Sequence, residues 1–219
     1  MKVSGIDEAG RGAVLGPMVI AGILIRGDDE EKLRSLGVRD SKKLTPAVRA
    51  SLYPRILNLA LNVEILKLEP RELDNAIIKR RRKGGLNHLE AVSMIYVINR
   101  LKPNTVYVDT PHPDPMKFKA LITSGLRVKD VNVVCEHRAD EKYPVVSAAS
   151  VIAKVERDRA IARIKEVYGE VGSGYPSDAT TKRFLIQWYS RFKCFPSFVR
   201  RSWKSIRRVR EECRWIKLI

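Results

Sequence analysis

The chain opens Met1-Lys2-Val3-Ser4-Gly5-Ile6-Asp7-Glu8-Ala9-Gly10-Arg11-Gly12, a segment that joins strand, carboxylates and glycine turn. Residues 1–6 read as a β-strand that ends in two consecutive carboxylates. An acidic pair straight after an apolar strand has no evident packing role. In an open α/β sheet, ligands and catalysis gather at the carboxyl ends of strands. The glycines on either side of Arg11 let the backbone come close to a phosphate or a ribose and donate N–H groups from a turn. On its own, such a Gly-x-Gly is also an ordinary turn.

Residues 16–25 form a second strand rich in Val and Ile, and Thr45-Pro46 starts a helix with Thr as its cap. Asn62–Leu68 alternates like a strand, and Glu69-Pro70 opens another helix. The basic run Lys79-Arg80-Arg81-Arg82-Lys83 precedes Gly84-Gly85. After it comes a helix with an apolar stripe at Leu86, Leu89, Val92, Tyr96 and Val97. Residues 105–108 are a short buried strand ending at Asp109. Residues 131–135 form a further strand, followed by a loop containing Asp140, and residues 145–168 make a long helix. This order predicts an α/β domain with a mixed sheet. A break at residues 172–176 divides the chain into a catalytic domain over 1–176 and a C-terminal helical subdomain over 177–219.

Composition narrows the function. The net charge of +17 suits a polyanionic partner, and nucleic acid is the common one. Residues 181–219 hold twelve Lys and Arg against Glu211 and Glu212, and they carry eight of the fifteen aromatics. Basic residues interleaved with aromatics fit a surface that grips a sugar-phosphate backbone, with most of the rings packed inward. The three cysteines are far apart, which argues against a disulfide framework or a zinc site. His88, His112 and His137 are scattered, and His137 reads as structural or solvated. Any metal is therefore a hard ion on carboxylates. No apolar run is long enough for a membrane span, and Asp7 and Glu8 interrupt any signal peptide, so a cytoplasmic location is expected.

Asp7, Glu8, Asp109 and Asp140 all sit at strand ends or just beyond them. Brought together, four carboxylates repel one another unless divalent cations intervene. Oxygen ligands favour Mg²⁺ or Mn²⁺. Two such ions about 3.5–4 Å apart can activate a water and stabilise a leaving oxygen in phosphoryl transfer. Taken singly, each of these residues could equally be a solvated loop carboxylate.

The segments then match a known family. They are Asp7-Glu8-Ala9-Gly10-Arg11-Gly12, Asp40-Ser41-Lys42-Lys43-Leu44, Val106-Tyr107-Val108-Asp109 and Ala139-Asp140-Glu141-Lys142-Tyr143-Pro144. Ser147-Ala148-Ala149-Ser150-Val151-Ile152-Ala153-Lys154-Val155, Gly172-Ser173-Gly174-Tyr175-Pro176-Ser177-Asp178 and Val199-Arg200-Arg201-Ser202-Trp203-Lys204 follow. In this order the chain resembles ribonuclease HII, in its archaeal style. Ala13 and Ala179 stand where prolines are expected.

The resemblance implies a ribonuclease H-like fold, with a mixed sheet flanked by helices and a small C-terminal helical subdomain. It implies an endonuclease that cuts the RNA strand of RNA/DNA hybrids, including single ribonucleotides in duplex DNA, leaving 5′-phosphate and 3′-hydroxyl ends. Asp7, Glu8, Asp109 and Asp140 would be the catalytic residues and the ligands of two Mg²⁺ or Mn²⁺ ions, with Asp7 bridging. The Gly10-Arg11-Gly12 backbone would read the ribose 2′-hydroxyl, and Tyr175 would stack on the next deoxyribose. Lys42, Lys43, Ser147, Lys154, Arg200 and Lys204 would complete the substrate contacts. The plainer readings are a packed aromatic for Tyr175 and solvated surface charges for the basic residues. A role in replication and repair follows, with a replication clamp as partner. The apolar end Trp215-Ile216-Lys217-Leu218-Ile219 suits docking or capping its own helix, and nothing demands more than a monomer. The type 3 relative shares the acidic arrangement but usually lacks this Gly-Arg-Gly. A binding protein without catalysis is the rival from another class; it gains nothing from carboxylates inside a phosphate-binding face.

Overall fold

The computed structural model describes residues 1–38, 44–79 and 84–215. Lys42, Lys43, most of the basic run (residues 80–83) and residues 216–219 lie outside the described residues. Contacts gather the chain into two compact units. The first comprises Met1–Ala9, Val19–Lys67 and Asn87–Glu156, and the second Gly10–Met18, Leu68–Leu86 and Arg157–Ile219.

Among the described residues, five strands form one sheet: β1 (Lys2–Ala9), β2 (Met18–Arg26), β3 (Asn62–Leu68), β4 (Thr105–Asp109) and β5 (Asn132–Glu136), in the order β3-β2-β1-β4-β5. β1 runs antiparallel to β2 and parallel to β4, and β4 is parallel to β5, so the sheet is mixed. β1 does not stop before the acidic pair. Its ladder with β2 continues to Ala9 opposite Val19, which makes Asp7 and Glu8 strand residues. β2 is almost wholly apolar and buried along its length up to Arg26, because both of its faces are covered.

The helices of the first unit are α1 (Glu30–Ser35), α2 (Pro46–Leu59), α4 (Gly85–Leu101), α5 (Pro115–Gly125), α6 (Ala139–Lys142) and the first half of α7 (Pro144–Tyr168). Thr45 caps α2 as expected, its hydroxyl accepting from the Val48 N–H at 3.3 Å. The buried face of α4 differs from the expected stripe. Ala91, Met94, Val97, Ile98 and Leu101 face inward, whereas Val92 and Tyr96 are 44% and 50% exposed. The sheet decides this. A Cβ on Gly22 would lie 2.4 Å from Val97 and 2.8 Å from Leu101, so the bare glycine admits that edge of the helix.

Asp140 belongs to the short helix α6, where a loop was expected, and a distant residue is the reason. The Asp109 carboxylate accepts from the Ala139 N–H at 3.1 Å, supplying the acceptor that this turn lacks locally. The core of this unit packs β2 residues such as Val19, Ala21 and Ile23 with Val145, Ala148, Ala149 and Ile152 of α7. Glu156, largely buried, joins α2 and β3 to α7 by accepting from the Tyr53 hydroxyl (2.9 Å) and Lys67 Nζ (2.8 Å).

The second unit contains α3 (Pro70–Lys79), the rest of α7, α8 (Ala179–Phe192) and α9 (Lys204–Trp215), and α7, α8 and α9 contribute to a core containing Val14, Leu15, Ile161, Leu185, Phe195, Val199 and Ile206. Tyr189 stacks on the buried Phe195 at 4.8 Å, and Phe198 meets the partly exposed Tyr168 edge-on at 4.6 Å. Phe192 is exposed, so the rings are packed together but only Phe195 among those of residues 181–213 is fully buried. Asp74 of α3 accepts from the backbone of Arg201 and Ser202 and from the Ser202 hydroxyl, which holds the segment before α9. No described helix is long and apolar enough to cross a membrane.

Candidate active site

The parallel register that pairs Ile6 with Val108 puts Asp7 of β1 beside Asp109 of β4. Neighbouring residues in register point to the same face of a sheet, so the two carboxylates meet. Asp140 joins them from α6, and one carboxylate oxygen from each of the three lies within 4.8 Å of the others. Glu8, next along the strand, is half-buried beside this group.

Gly5 explains how α7 reaches the cluster. It lies two residues before Asp7, on the same face of β1, and a Cβ there would sit 2.3 Å from the Val145 carbonyl oxygen. The absent side chain lets the start of α7 lie directly on the strand. Ser150 then hydrogen-bonds to Asp7, and Lys154, one turn further on, donates to the Ser150 hydroxyl at 3.0 Å. Asp7 also accepts from the Glu8 N–H at 2.7 Å.

Burial, and then the nearby charges of Asp109 and Asp140, push the Asp7 carboxyl up to about 7, against the lowering effect of Ser150 and Lys154. Three acidic groups this close and this buried are electrostatically unfavourable as they stand. An all-oxygen donor set under mutual repulsion fits a hard divalent cation, which would reverse the penalty.

The second unit carries the turn that follows the acidic pair. Gly10 adopts φ 83°, which L side chains rarely take, and a Cβ there would lie 2.6 Å from the Arg157 side chain. The turn closes through the Ala13 N–H donating to the Gly10 carbonyl at 3.2 Å. Val14 and Leu15 both donate to the Gly174 carbonyl, joining this segment to the loop that bears Tyr175. The half-buried Tyr175 ring lies under the Arg157 guanidinium, whose carbon is 4.4 Å from the ring centre. Arg11, Gly12, Trp203, Lys204 and Arg207 line an open cavity of about 730 Å³. Lys204 is exposed there at the start of α9.

Two expected substrate contacts are placed elsewhere. Ser147 is buried, and its hydroxyl donates to the Val38 carbonyl in the core. Arg200 is fully buried. Its Nε donates to the Gly16 carbonyl (3.0 Å) and its Nη1 to the Arg11 carbonyl (3.2 Å), and its guanidinium carbon lies 5.1 Å from the Trp203 ring centre. His137 is exposed, with its ring nitrogen 3.2 Å from the Thr110 carbonyl oxygen.

Gly5, Ser150 and Arg157 were not singled out from the sequence. A glycine inside a strand is itself a signal of close backbone approach. Ser150 and Lys154 are one helical turn apart within a segment already quoted. Arg157 gave no signal, since its burial comes from tertiary packing.

Comparison with known proteins identifies the family. The family model for ribonuclease HII matches residues 4–206. A ribonuclease HII from Pyrococcus horikoshii is 44% identical over 216 residues, covering 98% of this chain and 95% of the relative. The crystal structure of the ribonuclease H2 from the same organism superposes with a TM-score of 0.89, at 44% identity, over 98% of this chain and 99% of that one. A structure of the PCNA:RNase HII complex from Archaeoglobus fulgidus matches with a TM-score of 0.84, at 42% identity, over 95% and 96% of the two chains. The mixed sheet flanked by helices is the ribonuclease H-like fold, and the chain belongs to the ribonuclease HII family of divalent-metal-dependent nucleases that act on RNA/DNA hybrids.

Proposed function

We propose that this chain cuts the RNA strand of RNA/DNA hybrids and also the bond on the 5′ side of a single ribonucleotide embedded in duplex DNA, leaving 5′-phosphate and 3′-hydroxyl ends. The observation that carries this reading is the convergence of Asp7, Asp109 and Asp140 within 4.8 Å in a protein of net charge +17. A pure binding protein would weaken its own hold on phosphates by burying such a cluster.

Asp7, Asp109 and Asp140, with Glu8 at the same strand end, would hold two Mg²⁺ or Mn²⁺ ions. When bound, these supply activation of the attacking water and stabilisation of the leaving oxygen. Asp7 would be shared between the two, its carboxylate orientation fixed by the Glu8 N–H and by Ser150. Lys154 adds a positive charge beside Asp7 and is offered for a substrate phosphate. The Gly10-Arg11-Gly12 backbone would donate to the ribose 2′-hydroxyl, the group that separates RNA from DNA. Tyr175 would stack against the next sugar.

Residues 1–176 would carry the catalysis, and 177–219, with exposed Lys204, would hold the duplex. A monomer in the cytoplasm suffices for this task. The Archaeoglobus relative was solved with PCNA, and the apolar terminal residues 215–219 are offered here as a tail for a replication clamp.

The test is a duplex DNA carrying one ribonucleotide, incubated with Mg²⁺ or Mn²⁺ beside an all-DNA control and a uniform hybrid. Cleavage 5′ of the ribonucleotide, abolished by EDTA, is the expected result. Cleavage of the uniform hybrid alone would remove the roles given to the turn and to Tyr175. No cleavage of either substrate would overturn the nuclease reading.

A further inference from the structure

Two arginines of the second unit are buried, Arg157 at 4% exposure and Arg200 at 0%. Burying a guanidinium is costly, and an apolar side chain would fill the same space at lower cost. Burial pulls both below the usual arginine range, and Arg157 lowers Arg200 further. Among the described residues, Arg157 Nε and Arg200 Nη2 find no hydrogen-bond partner, so packing alone does not explain either residue. What a guanidinium offers that no apolar group can is a rigid fork of donors.

Between them the two side chains reach both segments. Arg200 donates to the carbonyls of Arg11 and Gly16, gripping the turn from both ends. Arg157 donates from Nη2 to the Ser173 carbonyl at 2.8 Å, lies over the Tyr175 ring and packs its stem under Gly10. Backbone bonds from Val14 and Leu15 to Gly174 close the circuit.

We propose that Arg157 and Arg200 are positioning residues that lock the Gly10-Arg11-Gly12 turn and the Tyr175 loop into one ribose-reading surface without touching the substrate themselves. This rests on the reading of those segments given above. A uniform hybrid offers many productive registers, whereas a lone ribonucleotide offers one. Loosening the surface therefore penalises the lone ribonucleotide most.

The test compares kcat/KM on a single-ribonucleotide duplex with kcat/KM on a uniform hybrid for the wild type, Arg200→Lys and Arg157→Lys, with the melting temperature of each. Lysine keeps the charge but loses the planar fork whose spread donors reach both carbonyls and whose face lies on a ring. The expected result is a fall of about tenfold or more in the single-ribonucleotide to hybrid ratio, with uniform-hybrid cleavage within about threefold of wild type. An unchanged ratio, equal loss on both substrates, or failure of both variants to fold would overturn the proposal and leave the arginines a structural role. If the wild type itself cuts the uniform hybrid but not the single ribonucleotide, the reading of the turn fails first and this inference fails with it.

Discussion

Asp7 sits where burial and two neighbouring carboxylates disfavour its charge. Replacing it with Asn removes one carboxylate but keeps its size. Cleavage should fall by about a thousandfold or more, in line with the loss of a group central to transition-state stabilisation, while hybrid binding measured by fluorescence anisotropy persists. Without metal, the same residue sets a pH dependence. Its folded pKa of about 7 lies above the ordinary 3.8, so its contribution to stability is complete below about pH 4 and is lost as pH rises towards 7. In EDTA at pH 8, Asp7→Asn should therefore be more stable than the wild type, by at most about 4 kcal/mol. Adding Mg²⁺ or Mn²⁺ should raise the melting temperature of the wild type more than that of the variant. Equal responses to metal would mean that Asp7 is not a ligand.

The element scale belongs to the crossing of β1 and α7. Gly5 leaves no room for a methyl group, since the nearest atoms are α7 backbone at 2.3 to 2.5 Å, which cannot rotate away. Gly5→Ala should cost about 1–3 kcal/mol by denaturant unfolding, as overpacking does. It should also push Ser150 and Lys154 away from Asp7, so the activity of the folded variant should drop too. A variant with wild-type stability and activity would mean that the helix does not bear on the strand there. The strands at this crossing were legible as apolar runs, and α7 as a long Ala-rich pattern. Where the helix lands on the strand was not, because that depends on which residue lacks a side chain on the facing surface. The inward face of α4 was hidden in the same way, being set by Gly22 on another element.

Across the whole molecule, the +17 charge makes duplex binding a matter of counterion release. Affinity of the cleavage-deficient Asp7→Asn variant for a hybrid should fall steeply with salt, by roughly a thousandfold between about 50 and 200 mM if about six phosphates are neutralised. A flat salt dependence would show that the basic surface does not carry the duplex.

The mixed α/β architecture, the acidic pair, the glycine turn and the family were all legible along the chain, because strand periodicity, helix caps and short motifs are local properties. The sequence also named Asp109 and Asp140, since each stands at or just beyond a strand. Tertiary structure alone decided that Asp7, Asp109 and Asp140 converge, since this depends on strand register and on the face each residue takes. It alone decided that Ser147 is a core residue and that Arg200 grips a backbone turn. Burial is a relation between segments far apart in the chain, and no single segment encodes it.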